Sequence, residues 1–259
     1  AAEGGPLVAT SGNRSGEPMA VTNAAARARL GAVADLTVLH DRRIARRLDD
    51  SVARIEGGRR RWLRRARGAA PGSGPLPAAL AGAAPGLAYG GHLKAALCLA
   101  AEGRARLSPH VGDLENPDTL AAFARAEADL EALFGRRPRW LACDLHPDWR
   151  PTRRAEARAA AEGLPLHRVQ HHHAHVAAAM AEAGWRPADG PVLGVALDGL
   201  GRGPDGTVWG GEWLLCSYGG FRRAGWLAPA PLPGGEAAQR EPWRNLLARL
   251  DGAGLGAAA

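Results

Sequence analysis

Apolar and polar positions along the chain alternate between short strand-length runs and longer amphipathic stretches, most of them closed by glycine or proline. Residues 1–70 are polar and arginine-rich. Within them VTNAAARARLGAV predicts a short helix ending at Gly31, and ADLTVLH a strand after it. DSVARIE and RRRWLRRARG predict a strand pair turning at Gly57-Gly58. Residues 71–85, dominated by Pro, Gly and Ala, predict a linker.

Residues 86–259 predict a second domain. LAYGGHLKAALCLAAEGRARLSPHVGD reads as two strands with a turn near Gly103. Asn116 and Pro117 then open a helix as N-cap and first helical residue. Leu120, Phe123, Leu130 and Phe134 share one face of it, and Gly135 ends it. RWLACDLHP predicts a buried strand finishing at Asp144. An Ala-rich helix closes at Gly163, LPLHRVQ is a strand, and His171 to Gly184 is helical. PVLGVALDGLGRGPDGTVWGGEWLLCSY predicts a hairpin with a wide glycine-rich turn, in which Asp198 ends the first strand. A last helix begins in PGGEAAQREPWRNLLARL. Strands alternating with helices place the chain in the α/β class.

Composition narrows the function classes. Hydrophobic residues make up 46% and charged residues 23% of the 259 positions, which is globular rather than disordered. No apolar run reaches the roughly 20 residues of a membrane span. The first residues do not form a signal peptide, and the absence of an initial Met suggests a start inside a longer protein. Cys98, Cys143 and Cys216 lack C-x-x-C spacing and suit free thiols in a reducing cytoplasm. The net charge of +7 raises nucleic acid as a partner. Lys94 is the only lysine, however, and abundant Arg, Ala and Gly is a genome-wide signature of high GC content. The arginine clusters at 42–47 and 59–67 are read as holding phosphates of a small ligand, and nucleic acid is not expected.

Three stretches carry candidate chemistry. In QHHHAHVAAAMAEAG, His171 and His175 are four apart on a predicted helix, so their imidazoles project from one face about a turn apart. That spacing lets two nitrogens reach one metal ion, and Asp198 can add a carboxylate oxygen. Histidines clustered on a surface helix are the plain alternative, and His172 and His173 are read as second-row or surface side chains. In DGLGRGPDGTVWGGE, Gly199 and Gly201 leave the backbone bare enough for a phosphate to approach, although an ordinary hairpin also uses such glycines. In TSGNRSGEP, Ser11 and Asn13 offer polar groups suited to a nucleotide or acyl phosphate, with a plain polar turn as the alternative. Ser51, and Arg64 and Arg67 of RRARG, suit a phosphate or a solvated strand face. No Ser-His-Asp signature, Walker A loop or Rossmann fingerprint is present.

Taken in order, TSGNRSGEP, ADLTVLHDRRIARRLDDSVARI and RRARG resemble the latter half of a YrdC-like domain. GGHLKAALCLA, LSPHVGDLENPDTLAAF, CDLHPDW, VQHHHAHVAAAMAE, LDGLGRGPDGTVWGGE and LPGGEAAQREPWRNLLA resemble the first part of the TsaD-like domain of HypF carbamoyltransferases. The resemblance implies a partial YrdC-like α/β domain (1–70), a linker (71–85) and a C-terminally truncated TsaD-like lobe of the actin-like (ASKHA) ATPase superfamily (86–259). It implies a cytoplasmic enzyme of [NiFe] hydrogenase maturation that uses ATP and carbamoyl phosphate. Carbamoyl adenylate would form in the YrdC-like domain and pass to the TsaD-like domain. There the carbamoyl group would move to the C-terminal cysteine of the partner HypE. His171, His175 and Asp198 would hold a divalent metal, zinc or iron. Ser11, Asn13, Ser51, Arg64, Arg67, Gly199 and Gly201 would line nucleotide and carbamoyl-adenylate pockets.

HypF proteins also carry an acylphosphatase-like domain and a zinc-finger region with paired C-x-x-C motifs, neither of which is in this sequence. A fourth metal ligand and the adenine contacts are expected outside the chain, and the chain alone is expected to have little or no turnover. Three other functions stay open: tRNA threonylcarbamoyl-adenosine synthesis, small-molecule O-carbamoyl transfer, and a non-catalytic scaffold that binds HypE. The three-histidine run and LENPDTLAAF favour HypF.

Overall fold

The structure, a computed structural model, describes residue 5, residues 8–14 and residues 16–256. The chain divides into two compact units, Ala1–Val169 and Gln170–Ala259.

The first unit opens with helix α1 (Asn23–Leu30), whose N-terminus is capped by the Thr22 side chain accepting from Ala25 N–H. A hairpin follows, β1 (Val52–Glu56) with β2 (Arg59–Arg64), turning through Gly57 and Gly58, both at positive φ. The expected strand ADLTVLH is not one. Residues 34–40 run without sheet partners, and Leu36 and Val38 are 82% and 88% exposed, so no hydrophobic burial fixes them. Arginines tether this part of the chain instead: Arg29 reaches Asp118 at 2.8 Å, and Arg46 grips Asp129 through two bonds of 2.5 and 2.7 Å.

The rest of the unit is a six-stranded sheet in the order β3-β6-β5-β4-β7-β8. Its strands are β3 (Gly72–Pro75), β4 (Gly86–Tyr89), β5 (Leu97–Ala101), β6 (Arg104–Leu107), β7 (Trp140–Asp144) and β8 (Leu166–Val169). The first four in sheet order pair antiparallel, and β4, β7 and β8 run parallel through crossovers containing α2 (Pro117–Phe134) and α3 (Arg150–Glu162). Two features depart from the sequence expectation. GLAY is a strand of its own, so the expected pair is a trio, and Gly72–Pro75 of the Pro/Gly-rich stretch is an edge strand hydrogen-bonded to β6. An edge tolerates this composition because Pro needs no partner for a missing N–H there.

Helix α2 begins and ends where its caps dictate: Asn116 accepts from Asp118 N–H, and Gly135 takes the left-handed conformation at φ 60°. Its apolar face meets Leu87, Leu97, Leu99 and Leu141 in the core. Buried Glu127 on α2 accepts from the Tyr89 hydroxyl at 2.6 Å and from Arg158 of α3 at 2.7 Å, and also pairs with Arg154. This network joins β4, α2 and α3.

The second unit packs α4 (His171–Glu182) on a three-stranded antiparallel sheet, β11-β10-β9, built from β9 (Val192–Arg202), β10 (Val208–Ser217) and β11 (Gly220–Trp226). Helix α4 buries the stripe His172, Val176 and Met180 against Trp209, Leu214 and Cys216. Two C-terminal helices, α5 (Ala237–Arg240) and α6 (Pro242–Gly252), appear where one was expected.

Candidate metal centre

Helix α4 starts at Gln170, whose side-chain oxygen accepts from His173 N–H at 2.8 Å and whose amide nitrogen lies 2.9 Å from His172 Nδ1. This cap fixes the first turn, on which the histidines sort themselves by helical angle. His172 and His173 turn inward and are buried, rather than lying on the surface. His173 Nε2 lies 2.8 Å from the Ser217 carbonyl. His171 and His175 occupy the adjoining stripe, with side chains 18% and 59% exposed.

Asp198 does not end β9. It lies inside the strand, where three residues, 198–200, face the single residue Gly210. This is a β-bulge, an irregularity that re-aims side chains. The glycines on either side of it let α4 approach. A Cβ on Gly194 would lie 2.4 Å from Val176, and one on Gly201 would lie 2.4 Å from the His172 ring. With the helix that close, the three donors converge. His171 Nε2 is 2.9 Å and His175 Nε2 3.3 Å from Asp198 Oδ2, and the two imidazole nitrogens are 3.2 Å apart.

Those distances fit a shared cation. Ligands about 2.05 Å from a tetrahedral zinc lie about 3.3 Å from one another, and about 3.0 Å in an octahedral set of similar bond length. The electrostatics agree. Burial works against an ionised Asp198, but His171, the Gly199 N–H and His175 outweigh it and hold the carboxyl below its ordinary value. Burial also depresses the His172 imidazole, against an opposing pull from Asp198, which favours its neutral form. The exposure of His175 leaves one side of the trio open to solvent and to further ligands.

The other predicted residues divide into separate groups. Gly201 is buried under His172, so its missing Cβ serves packing, whereas Gly199 is exposed with open space at its Cβ position. Ser51, Arg64 and Arg67 come together at the base of the β1–β2 hairpin. The Ser51 hydroxyl donates to the Arg67 carbonyl at 2.8 Å and accepts from Ala66 N–H at 2.9 Å. Arg64 lies 4.0 Å from Asp49, and Arg67 3.8 Å from Asp50. Ser11 and Asn13 stay in the loop before α1, where the Asn13 amide donates to the carbonyls of Arg14 and Glu17.

Sequence reasoning missed Gln170, Trp209, Glu212 and Arg223. Gln170 had a local signal, a side-chain acceptor placed directly before a histidine run on a helix. The other three had none, because the bulge shifts the phase of β10 and puts Trp209 and Glu212 on the same inward face.

Three family profiles match the chain. Residues 82–182 match "HypF Kae1-like domain", residues 194–259 match "Carbamoyltransferase, Kae1-like Domain, second subdomain", and residues 1–66 match the Sua5/YciO/YrdC profile described as "Telomere recombination". Carbamoyltransferase HypF of Rhodobacter capsulatus is 56% identical over 252 residues, covering 97% of this chain and 34% of its own length. HypF2 of Cupriavidus necator is 46% identical, covering 96% of this chain and 31% of its own. A crystal structure of full-length HypF in a phosphate- and nucleotide-bound form superposes with a TM-score of 0.83 at 38% identity, over 93% of this chain and 37% of that one. The HypF structure from T. kodakarensis gives 0.81 at 35% identity, over 94% of this chain and 31% of that one. The chain therefore spans about a third of the length of the relatives it matches.

Proposed function

Because the chain belongs to the HypF carbamoyltransferase family, as a piece of such a protein, we propose that it contributes to ATP-dependent carbamoyl transfer in hydrogenase maturation. ATP and carbamoyl phosphate are the substrates, and the C-terminal cysteine of HypE is the acceptor. The observation that carries this reading is the convergence of His171, His175 and Asp198 on one point beside an exposed glycine. We assign residues 1–70 to a YrdC-like part that makes carbamoyl adenylate and 86–259 to a Kae1-like part that uses it; the stretch 71–85 between them supplies that second part's sheet with its edge strand β3.

His171, His175 and Asp198 hold a divalent cation, zinc or iron. A bound cation of this kind supplies Lewis-acid stabilisation of negative charge on acyl and phosphoryl oxygens. The chain's own residues do the rest. Asp198, kept ionised, offers its Oδ2 as a third donor beside the two Nε2 atoms, and the open Cβ side of Gly199 gives a phosphoryl group room to approach. In the transfer step the cysteine thiolate, its proton already lost to solvent, attacks the carbamoyl carbon, the bond from that carbon to the phosphate oxygen breaks, and AMP leaves with the electron pair. The product is an S-carbamoyl cysteine. In the YrdC-like part, Arg64 and Arg67 supply positive charge for phosphates, with Ser51 closing the hairpin that carries them and Ser11 and Asn13 lining the pocket. The free thiols of Cys98, Cys143 and Cys216, the last two of them buried, are in keeping with a cytoplasmic site of action.

The test uses the intact Rhodobacter capsulatus relative, with the residues matching His175 and Asp198 replaced, supplied with ATP, carbamoyl phosphate and HypE. Mass spectrometry follows the acceptor cysteine. Joint loss of bound metal and carbamoyl adduct supports the proposal. Wild-type adduct formation after loss of the metal overturns it.

A further inference from the structure

Behind the metal trio lies a second constellation that this function leaves unused. Glu212 on β10 is 1% exposed and holds Arg223 of β11 through two bonds, 2.6 Å to Nε and 2.7 Å to Nη2. The guanidinium carbon stands over two indoles, 4.0 Å from the Trp209 ring centre and 4.2 Å from that of Trp226. The Trp209 Nε1 donates to Asp205, with both carboxylate oxygens at 3.1 Å. Asp205 in turn accepts from the Thr207 hydroxyl at 2.8 Å and from its N–H at 3.0 Å. One buried indole is thus gripped on its face by a cation and at its edge by a carboxylate.

Trp209 pairs across the sheet with Gly201, the residue against which the His172 ring packs. The indole and the His172 ring lie 6.4 Å apart at 31°, and Gly203 leaves the space the indole fills. A glycine opposite a tryptophan lets the large ring extend beneath the first helical turn of α4. His171 is the next residue on that turn, with its Cβ 3.1 Å from the position a Gly201 Cβ would take.

The geometry points to Trp209, clamped by Arg223 and Asp205, as a positioning residue that sets where the first turn of α4 places His171 relative to Asp198. Arg223 and Glu212 act through Trp209 and not on the ion or substrate. A guanidinium hydrogen-bonded twice to a buried carboxylate and seated over the indole resists rotation, so the indole is held in place, and a rigid support behind a metal ligand sharpens the ligand's geometry. The inference rests on the metal reading for its consequence, but the positioning itself can be observed without metal.

The experiment compares the wild-type chain with Asp205→Asn, Trp209→Phe and the double substitution Arg223→Met/Glu212→Met, which leaves no buried charge unpaired. Arg222→Ala, an exposed neighbour on β11, is the control. Two readouts are taken: histidine ring resonances of the metal-free chain, and cobalt titration followed by its visible absorption and by zinc competition. The expected result is displaced His171 and His175 ring signals, an altered cobalt spectrum and affinity lower by about 10- to 100-fold, with unchanged far-ultraviolet circular dichroism. Folded variants with wild-type ring signals and wild-type affinity overturn the inference. If the double variant does not fold, Asp205→Asn and Trp209→Phe decide, since both keep the Arg223–Glu212 pair. A wild-type chain that takes no metal sinks the metal reading, and the ring signals still decide the positioning.

Discussion

Gly201 and His172 approach so closely that a Cβ on the glycine would stand 2.4 Å from the histidine Cε1. The contact fixes the spacing between α4 and β9, and with it the reach of His171 and His175 toward Asp198. Gly201→Ala should therefore destabilise the fold by about 1–3 kcal/mol, the usual penalty of overpacking, and weaken metal binding. Gly199→Ala, with open space at the same atom, should change stability by less than about 0.5 kcal/mol. Urea denaturation of the two variants checks the contrast, and equal losses would contradict it.

The Tyr89 hydroxyl serves a buried carboxylate, Glu127, that also receives Arg158. Tyr89→Phe keeps the ring and removes one hydrogen bond to a charged group. An expected loss of about 1–3 kcal/mol follows, measured by chemical denaturation with an unchanged slope.

Burial pushes the Cys143 thiol from 9.0 up to about 11, and the Cys98 thiol likewise. Between those values the unfolded chain gives up these protons and the folded one keeps them. This contribution to stability is therefore complete below pH 9 and is lost as pH rises toward 11. Alkylation at pH 8 should be slow for both cysteines in the native protein and fast in urea. Rapid native labelling of Cys143 would refute this account.

Asp118 and Asp129 are held below the ordinary aspartate range by hydrogen bonds from Arg29 and Arg46. Because their folded values are depressed, these pairs contribute above the unfolded carboxylate value and fade as pH falls through the folded one. They are exposed, so salt should weaken them too. Hydrogen exchange in residues 23–47 should rise with added salt, while β5 stays protected.

How far the sequence could be read depended on the range of the forces involved. Asn116, Pro117 and Gly135 bound α2 through their own caps, and the four-residue spacing of His171 and His175 is intrinsic to any helix. ADLTVLH has a strand's alternation, but a strand also needs a partner, and the described residues give it none. The bulge at Asp198 was hidden for a similar reason. Register is a property of two strands together, and its shift at Gly210 brings Trp209 and Glu212 to one face despite their odd spacing. The crowded glycines read as a phosphate loop, yet Gly201, Gly203 and Gly211 each make room for a side chain: His172, Trp209 and Leu227.

X-ray absorption at the zinc or iron edge of the metal-loaded chain reads the ligand shell around the ion itself. With His171, His175 and Asp198 as ligands, the spectrum should show one ion per chain, with nitrogen and oxygen neighbours at about 2.0–2.1 Å and scattering from two imidazoles, reduced to one in His175→Ala. A spectrum without imidazole scattering, or one unchanged by His171→Ala, His175→Ala and Asp198→Ala alike, would contradict it.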